Sequence, residues 1–458
     1  MNSYATQLDN FYRDIFQEHV AECGFQLNEL CNNFHIAALS WHDALDTQAI
    51  IFRHVDAIYL HICQGFCSKA DLLGILQSGD EDETTGLIYA LSSIGNSEKN
   101  WFDLLLENVS EFDDDALVWF SIGVRYGTLN DVTEKLISLL SHEKAKIRAL
   151  VAEIIGYRGG VDSRRIWPLF RDDDQAVKIA AMVAMARSGF KEAVPAMEQA
   201  VLHSREAFNE HCLLPLLMLG SHRALQYVQI AMRSPDYVKP QYPIYLALAG
   251  NQQDYPLFLH ATQYDGMLLP VVEALGIFGS VQAVDFLQQH LLSEDDELKL
   301  EAAKSLNMIS GANLKETVVI IEQAEPDLEV EDVIGEGDDK SGEEQGDSRE
   351  VEVQRHCTDH TTWMNWWQNN VGHFDPHQRY RFGKPYTFFT VLEEIARPDS
   401  VYNDRQRAYY ELVIRSGHHI PFEPDWFADK QIDALRKWQQ WWNENKSRYG
   451  DKWLFAGG

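Results

Sequence analysis

Glycines recur along the middle of this chain at a nearly fixed period, and that period constrains the fold more than any other feature. They stand at Gly95, Gly123, Gly156, Gly189, Gly220, Gly250, Gly279 and Gly311. Successive intervals are 28, 33, 33, 31, 30, 29 and 32 residues. Before most of them lies an apolar stretch with helical spacing, such as Ile147–Ala152, Val177–Met182 and Leu298–Ala303. These stretches share an aliphatic residue, a basic residue, two variable positions and two small or apolar residues. Small residues let one helix approach the next, and a glycine after the helix can take the left-handed conformation that ends it. A period of this size points to a repeat architecture.

Acidic runs mark the other end of the same helices: Asp80–Glu83, Asp113–Asp115, Asp172–Asp174 and Glu294–Glu297. Carboxylates there accept the orphan N–H groups of a first turn and complement the helix dipole. None of these runs has the alternating pattern, central glycine and terminal glutamate of a calcium loop. Upstream apolar stretches at Asp71–Leu76, Glu134–Leu140 and Ala283–Leu287 supply a first helix for each unit. Two short helices, an acidic turn and a closing glycine make one helical hairpin. Hairpins stacked in a row bury their apolar faces on one another and form an α-solenoid. The period and consensus positions resemble bacterial HEAT repeats. The expected fold class is therefore all-α: a solenoid of HEAT-like hairpins with flanking regions.

The flanks divide the chain into four. Residues 1–70 read as an N-terminal helical cap and 71–321 as the HEAT-like array. Residues 322–356 read as an acidic disordered linker without aromatics. Residues 357–458 read as a Trp-rich helical region. That last region holds eight of the twelve tryptophans. Within it Trp363-Met364-Asn365-Trp366-Trp367 and Asn370 match Trp438-Gln439-Gln440-Trp441-Trp442 and Asn445, 75 residues on. Tryptophans at i, i+3 and i+4 share a helix face. The face is read as core, with its indole N–H groups meeting asparagine or backbone partners; a binding patch is the alternative.

Charge narrows the function classes. The net charge is −31, which argues against a nucleic-acid binder. No run of 18 apolar residues exists and the N-terminus lacks a leader pattern, so neither a membrane partner nor export is expected. Six unevenly spaced cysteines suit a reducing, cytoplasmic setting. Residues 1–124 hold 20 acids and 4 bases, whereas 125–205 hold 13 bases and 10 acids. Acidic surface favours basic partners. The basic stretch offers a place for an acidic segment, including the chain's own 322–352.

No catalytic, cofactor or metal site is expected. Cys63 and Cys67 share a helix face near His61, but no second pair has zinc-like spacing. His356, Cys357 and His360 read as a surface cluster, and His418-His419 as a solvated loop pair. His142-Glu143 is a single His-Glu pair, too few for a di-iron hydroxylase of helical-repeat architecture. The candidate partner-binding residues are Arg148, Arg158, Arg164, Arg165, Lys178, Arg187 and Lys299. Arg148, Lys178 and Lys299 recur at one repeat position, on the second helices that would line a concave face. Salt bridges to neighbouring acidic turns are the competing reading there.

The lead-in around Leu45-Asp46 and His54–Ala57, the array, and the tail Arg379–Pro385 with Arg407–Leu412 and Gln431 carry a wider resemblance. The chain resembles a bacterial HEAT-repeat family of unknown function found near type VI secretion effector and spike genes. That resemblance implies a cytoplasmic accessory that binds another protein, such as a secretion effector or spike component, and no catalytic residue. Two alternatives stand: an immunity protein that neutralises a toxin, and a HEAT-like enzyme of the bilin-lyase or modifying type.

Overall fold

Among the described residues, nine acidic or hydroxylic side chains close α-helix N-termini, and each of the four acidic runs supplies one of them. The computed structural model describes residues 2–36, 39–95, 101–202, 208–323 and 348–449. It is predominantly helical. The chain divides into two compact units: Met1–Asp265 with Tyr386–Gly458, and Gly266–Pro385. These divisions fall elsewhere than the boundaries expected at 70, 321 and 356.

The first unit opens with two long helices, α1 (Asn2–Ile36) and α2 (Trp41–Gln64). Pairs follow: α3 (Lys69–Ser78) with α4 (Glu81–Leu91), then α5 (Phe102–Asn108) with α6 (Asp114–Tyr126). Next come α7 (Val132–Leu136), extended by a 3-10 turn at Ile137–Ser141, and α8 (Ala145–Arg158). Two 3-10 turns, Ser163–Arg165 and Trp167–Arg171, replace a first helix before α9 (Gln175–Arg187). Then come α10 (Val194–Leu202), α11 (Phe208–Met218), α12 (His222–Ala231), α13 (Tyr242–Ala249) and α14 (Tyr255–Ala261). The second helices pack in series, α4 on α6, α6 on α8, α8 on α9 and α9 on α11, while α1 packs on α4 and α2.

The second unit contains α15 (Leu268–Phe278), α16 (Val284–His290) and α17 (Asp296–Ser310), with α15 and α16 both against α17. A ribbon of β1 (Lys315–Gln323) and β2 (Ser348–His356) follows, then α18 (His360–Asn370) and the short pair β3 (Tyr380–Arg381) and β4 (Lys384–Pro385). The chain then returns to the first unit with α19 (Phe388–Ala396), α20 (Tyr402–Ser416) and α21 (Ala428–Tyr449).

The acidic runs act as read from the sequence. Asp80 caps α4 in a capping box with Glu83, Asp113 caps α6, Asp174 caps α9 and Asp295 caps α17. The glycines divide. Gly279 and Gly311 end α15 and α17 in the left-handed conformation, at φ 71° and 64°. Gly123 and Gly156, expected as stops, lie inside α6 and α8 instead. A Cβ on Gly123 would sit 2.7 Å from Ile88 of α4, and one on Gly156 2.8 Å from Ala184 of α9. Their place in the regular spacing reflects close helix contact, and the helices run on to Gly127 and Gly159.

The linker expected over 322–356 is corrected at both ends. β1 and β2 pair antiparallel from Lys315↔His356 to Gln323↔Ser348. Val318 faces Val353 and Ile320 faces Val351; apolar and polar residues alternate along β2, whereas Val318–Ile321 of β1 is continuously apolar. Composition concealed it, because the glutamates dominate the stretch. Residues 324–347 lie outside the described residues.

The two tryptophan motifs fold alike. Trp363 and Trp438 are buried, and their indole N–H groups donate to the carbonyls of Cys357 (2.6 Å) and Ile420 (3.1 Å). Asn370 and Asn445 each donate to the carbonyl four residues back, at Trp366 and Trp441. Residues 450–458, which follow the second copy, lie outside the described residues.

Candidate functional site

A helix leaves its last carbonyls without partners, and this chain covers several of those ends with its own C-terminal part. In the first unit α20 ends at Gly417, which is left-handed at φ 61°. From there the segment 417–431 crosses the ends of the second helices in reverse order. Arg415 donates to the carbonyls of Ala247 and Ala249 at the end of α13. Lys191 donates to the carbonyl of Gly417. His419 packs so tightly on Gly189, just after α9, that a Cβ there would lie 2.7 Å from its ring.

The segment then goes inside. Residues 422–428 are all buried. Glu423 faces Arg187 of α9 through two contacts, Nε to Oε1 at 3.0 Å and an η nitrogen to Oε2 at 3.2 Å. The Tyr126 hydroxyl donates to the Asp425 carbonyl at 2.7 Å, and the Tyr157 hydroxyl to Asp425 Oδ1 at 3.2 Å. Phe427 meets the rings of Phe52, Tyr89 and Tyr126. Beyond it Gln48 accepts the N–H of Ala428, and Trp41 donates to Gln431. Two buried aromatics contribute about 1.5–3 kcal/mol each to holding the segment.

Burial sets the electrostatics. It pushes the Glu423 carboxyl up to about 7, against the opposing pull of Arg187. It holds the Tyr126 and Tyr157 phenols well above their ordinary range. It lowers His419 to about 4, with Lys191 adding repulsion. The pair His418-His419, expected to be solvated, is therefore packed, with His418 stacked on Trp441 at 4.9 Å.

In the second unit the same device recurs. Arg379 donates to the carbonyls of Phe278 and Ile277 at the end of α15, and Arg381 to Ile277. The backbone of Tyr380, Phe382 and Gly383 donates to Gly279, Met308 and Ile309. The segment Arg379–Gly383 is thus a seal on two helix ends.

Six of the seven residues expected to bind a partner already have partners within the chain. Arg158 donates to the carbonyls of Val124 (2.7 Å), Gly127 (2.5 Å) and Leu129 (2.9 Å) and to Thr133 (3.2 Å). It closes the end of α6, and burial lowers it to about 10. Arg148 forks onto both oxygens of Asp172 at 2.8 Å and also reaches the carbonyls of His142 and Glu143. That is the salt-bridge reading at this position. Arg187 is held by Glu423, Arg165 by Glu134 and Lys299 by Asp296. Arg164 is exposed near Asp162 and Glu192. Lys178 is half-buried and helps lower Asp172. Sequence reasoning missed Glu423, Asp425, Arg379, Arg381 and Arg415; a charged residue between aromatics, as in Phe422-Glu423-Pro424-Asp425-Trp426-Phe427, was the available signal.

Among the described residues no group of three or more His, Cys, Asp or Glu side chains is placed to hold a metal, and no helix is long and apolar enough to cross a membrane. Compared with protein-family models, curated proteins and solved structures, the chain matches none.

Proposed function

We propose that this protein is a HEAT-like α-solenoid with a Trp-rich helical C-terminal region, a non-catalytic scaffold that binds another protein. The serial packing of second helices, with acidic caps at the N-termini of α4, α6 and α9, carries the reading. Repeat arrays of this kind present long surfaces made of equivalent positions.

In the first unit the helix ends are covered by residues 417–431, so the partner engages a different surface. The acidic turns between helices supply one. Asp80, Glu81, Glu111, Asp113, Asp114, Asp115 and Asp173 are exposed there, and capping engages only one or two carboxylates per turn. A net charge of −31 adds long-range attraction for a basic segment.

The biological setting we propose is an adaptor or chaperone-like accessory of type VI secretion, acting in the cytoplasm on an effector or spike component. It rests on the resemblance of the lead-in, the array and the tail. Co-purification of the full chain from its source organism, followed by mass spectrometry, tests it. Recovery of a secretion component that is released by raised salt is the expected result. Recovery of a toxin points to immunity instead, and recovery of a chromophore, metal or small substrate in place of a protein overturns the scaffold reading.

A further inference from the structure

Within the first unit, the ends of α6 and α8, the turn at 127–130 and the first turn of α21 enclose a cavity of about 640 Å³. That volume lies in the range of small-molecule sites. Phe52, Tyr126, Trp426 and Phe427 give it aromatic walls.

Its polar groups are unusual in sign. The Lys430 ammonium stands 3.6 Å from the centre of the Trp426 ring, with no carboxylate in ion-pair range among the described residues. The Trp426 indole N–H and the Arg125 Nε–H are buried and meet no acceptor. Trp426 is only 4% exposed. Arg158 adds a second full charge, compensated by carbonyls and a hydroxyl. Of the three acids in the lining, Glu134 is bound to Arg165 and Asp433 to Lys437, while Asp429 is exposed. The cavity therefore places an ammonium with no ion-pair partner beside two unmatched N–H donors, in a protein whose surface is strongly acidic. Buried donors without acceptors cost free energy, which an oxygen-rich ligand relieves.

We propose that this cavity binds a small organic anion, an apolar or aromatic body bearing a carboxylate or phosphate. The oxyanion meets Lys430 and the Trp426 N–H, and the body lies against Phe52 and Phe427. Lys430 suits the task. It is exposed to solvent, and desolvation of its ammonium with Arg158 nearby lowers it to about 8, so it is still charged at neutral pH. The inference goes beyond the scaffold reading and does not depend on it.

The test is calorimetric titration of the full chain with 1-naphthoate, 1-naphthyl phosphate and the neutral 1-naphthalenemethanol. The expected result is one saturable site for at least one anion, about tenfold or more tighter than the alcohol. The tighter of the two anions identifies the headgroup. Lys430→Gln should reduce that anion to the level of the alcohol, and Lys430→Arg, which keeps the charge, should restore it. Lys69→Gln, at the start of α3 and absent from the cavity lining, should leave it unchanged. Circular dichroism melts confirm that the variants fold. No saturable anion binding, equal affinity for the alcohol, or binding untouched by Lys430→Gln would overturn the proposal.

Discussion

Arg187 and Glu423 lie 236 residues apart in sequence and form a two-contact ion pair inside the first unit, at 3.0 and 3.2 Å. The pair ties the end of α9 to the segment that runs over the helix ends. Removing one member leaves the other charge buried. Arg187→Ala is expected to destabilise the first unit by about 3 kcal/mol, read as a shift in the urea midpoint. Protection of the 422–428 amides in hydrogen exchange should fall more than that of α1 and α2.

Glu423 also predicts a pH dependence. Its folded value is raised from 4.5 to about 7, chiefly by burial. The native state thus holds its proton to higher pH than the unfolded chain does. Stability from this group is complete below about 4.5 and is lost as pH rises toward 7. The loss is on the order of 3 kcal/mol at full effect. Glu423→Gln cannot titrate, so the difference in stability between it and wild type should drift in favour of the variant between pH 4.5 and 7. A difference that stays flat across that window would count against the assignment.

Arg158 should behave as a structural clamp. Arg158→Ala leaves the carbonyls of Val124, Gly127 and Leu129 without their donor, at an expected cost of about 2–4 kcal/mol. Arg158→Lys should recover only part of this, because an ammonium cannot fork across several carbonyls. Denaturation midpoints of the two variants decide it.

Two helical glycines should respond oppositely to alanine. Gly123→Ala puts a methyl 2.7–2.9 Å from Ile88 and the Tyr89 nitrogen, so α6 must move off α4, at about 1–3 kcal/mol. Gly74 lies within α3 with nothing within 4 Å of its Cβ position. Gly74→Ala should therefore stabilise by about 0.5–1 kcal/mol. Thermal melts of the pair test both signs.

Anion binding in the cavity should weaken above pH 8, as Lys430 loses its proton. Arg158 from α8, Glu423 and Asp425 from the buried segment, and Asp429 beside it are the charged groups that face it. Arg158 titrates near 10 and stays charged through this range. Repeating the naphthoate and naphthyl phosphate titrations from pH 7 to 9 should show the fall in wild type and none in Lys430→Arg.

Local rules were legible in the residues themselves. Helix starts follow from Asp80, Asp113, Asp174 and Asp295, because a carboxylate two or three residues before a free N–H needs no distant partner. The stops at Gly279 and Gly311, and the buried first tryptophan of each Trp motif, follow from equally short-range chemistry. Gly123 and Gly156 show where that reach ends. Their spacing is the same as that of a stop, and only the neighbouring helix distinguishes a close contact from a terminus. The bases were harder still. Arg148, Arg158 and Arg187 read as a free basic surface until the turns, helix ends and buried carboxylate that neutralise them are in place. A charge is a property of one residue, but its availability depends on what the fold brings within about 3 Å of it, and those partners stand up to 236 residues away.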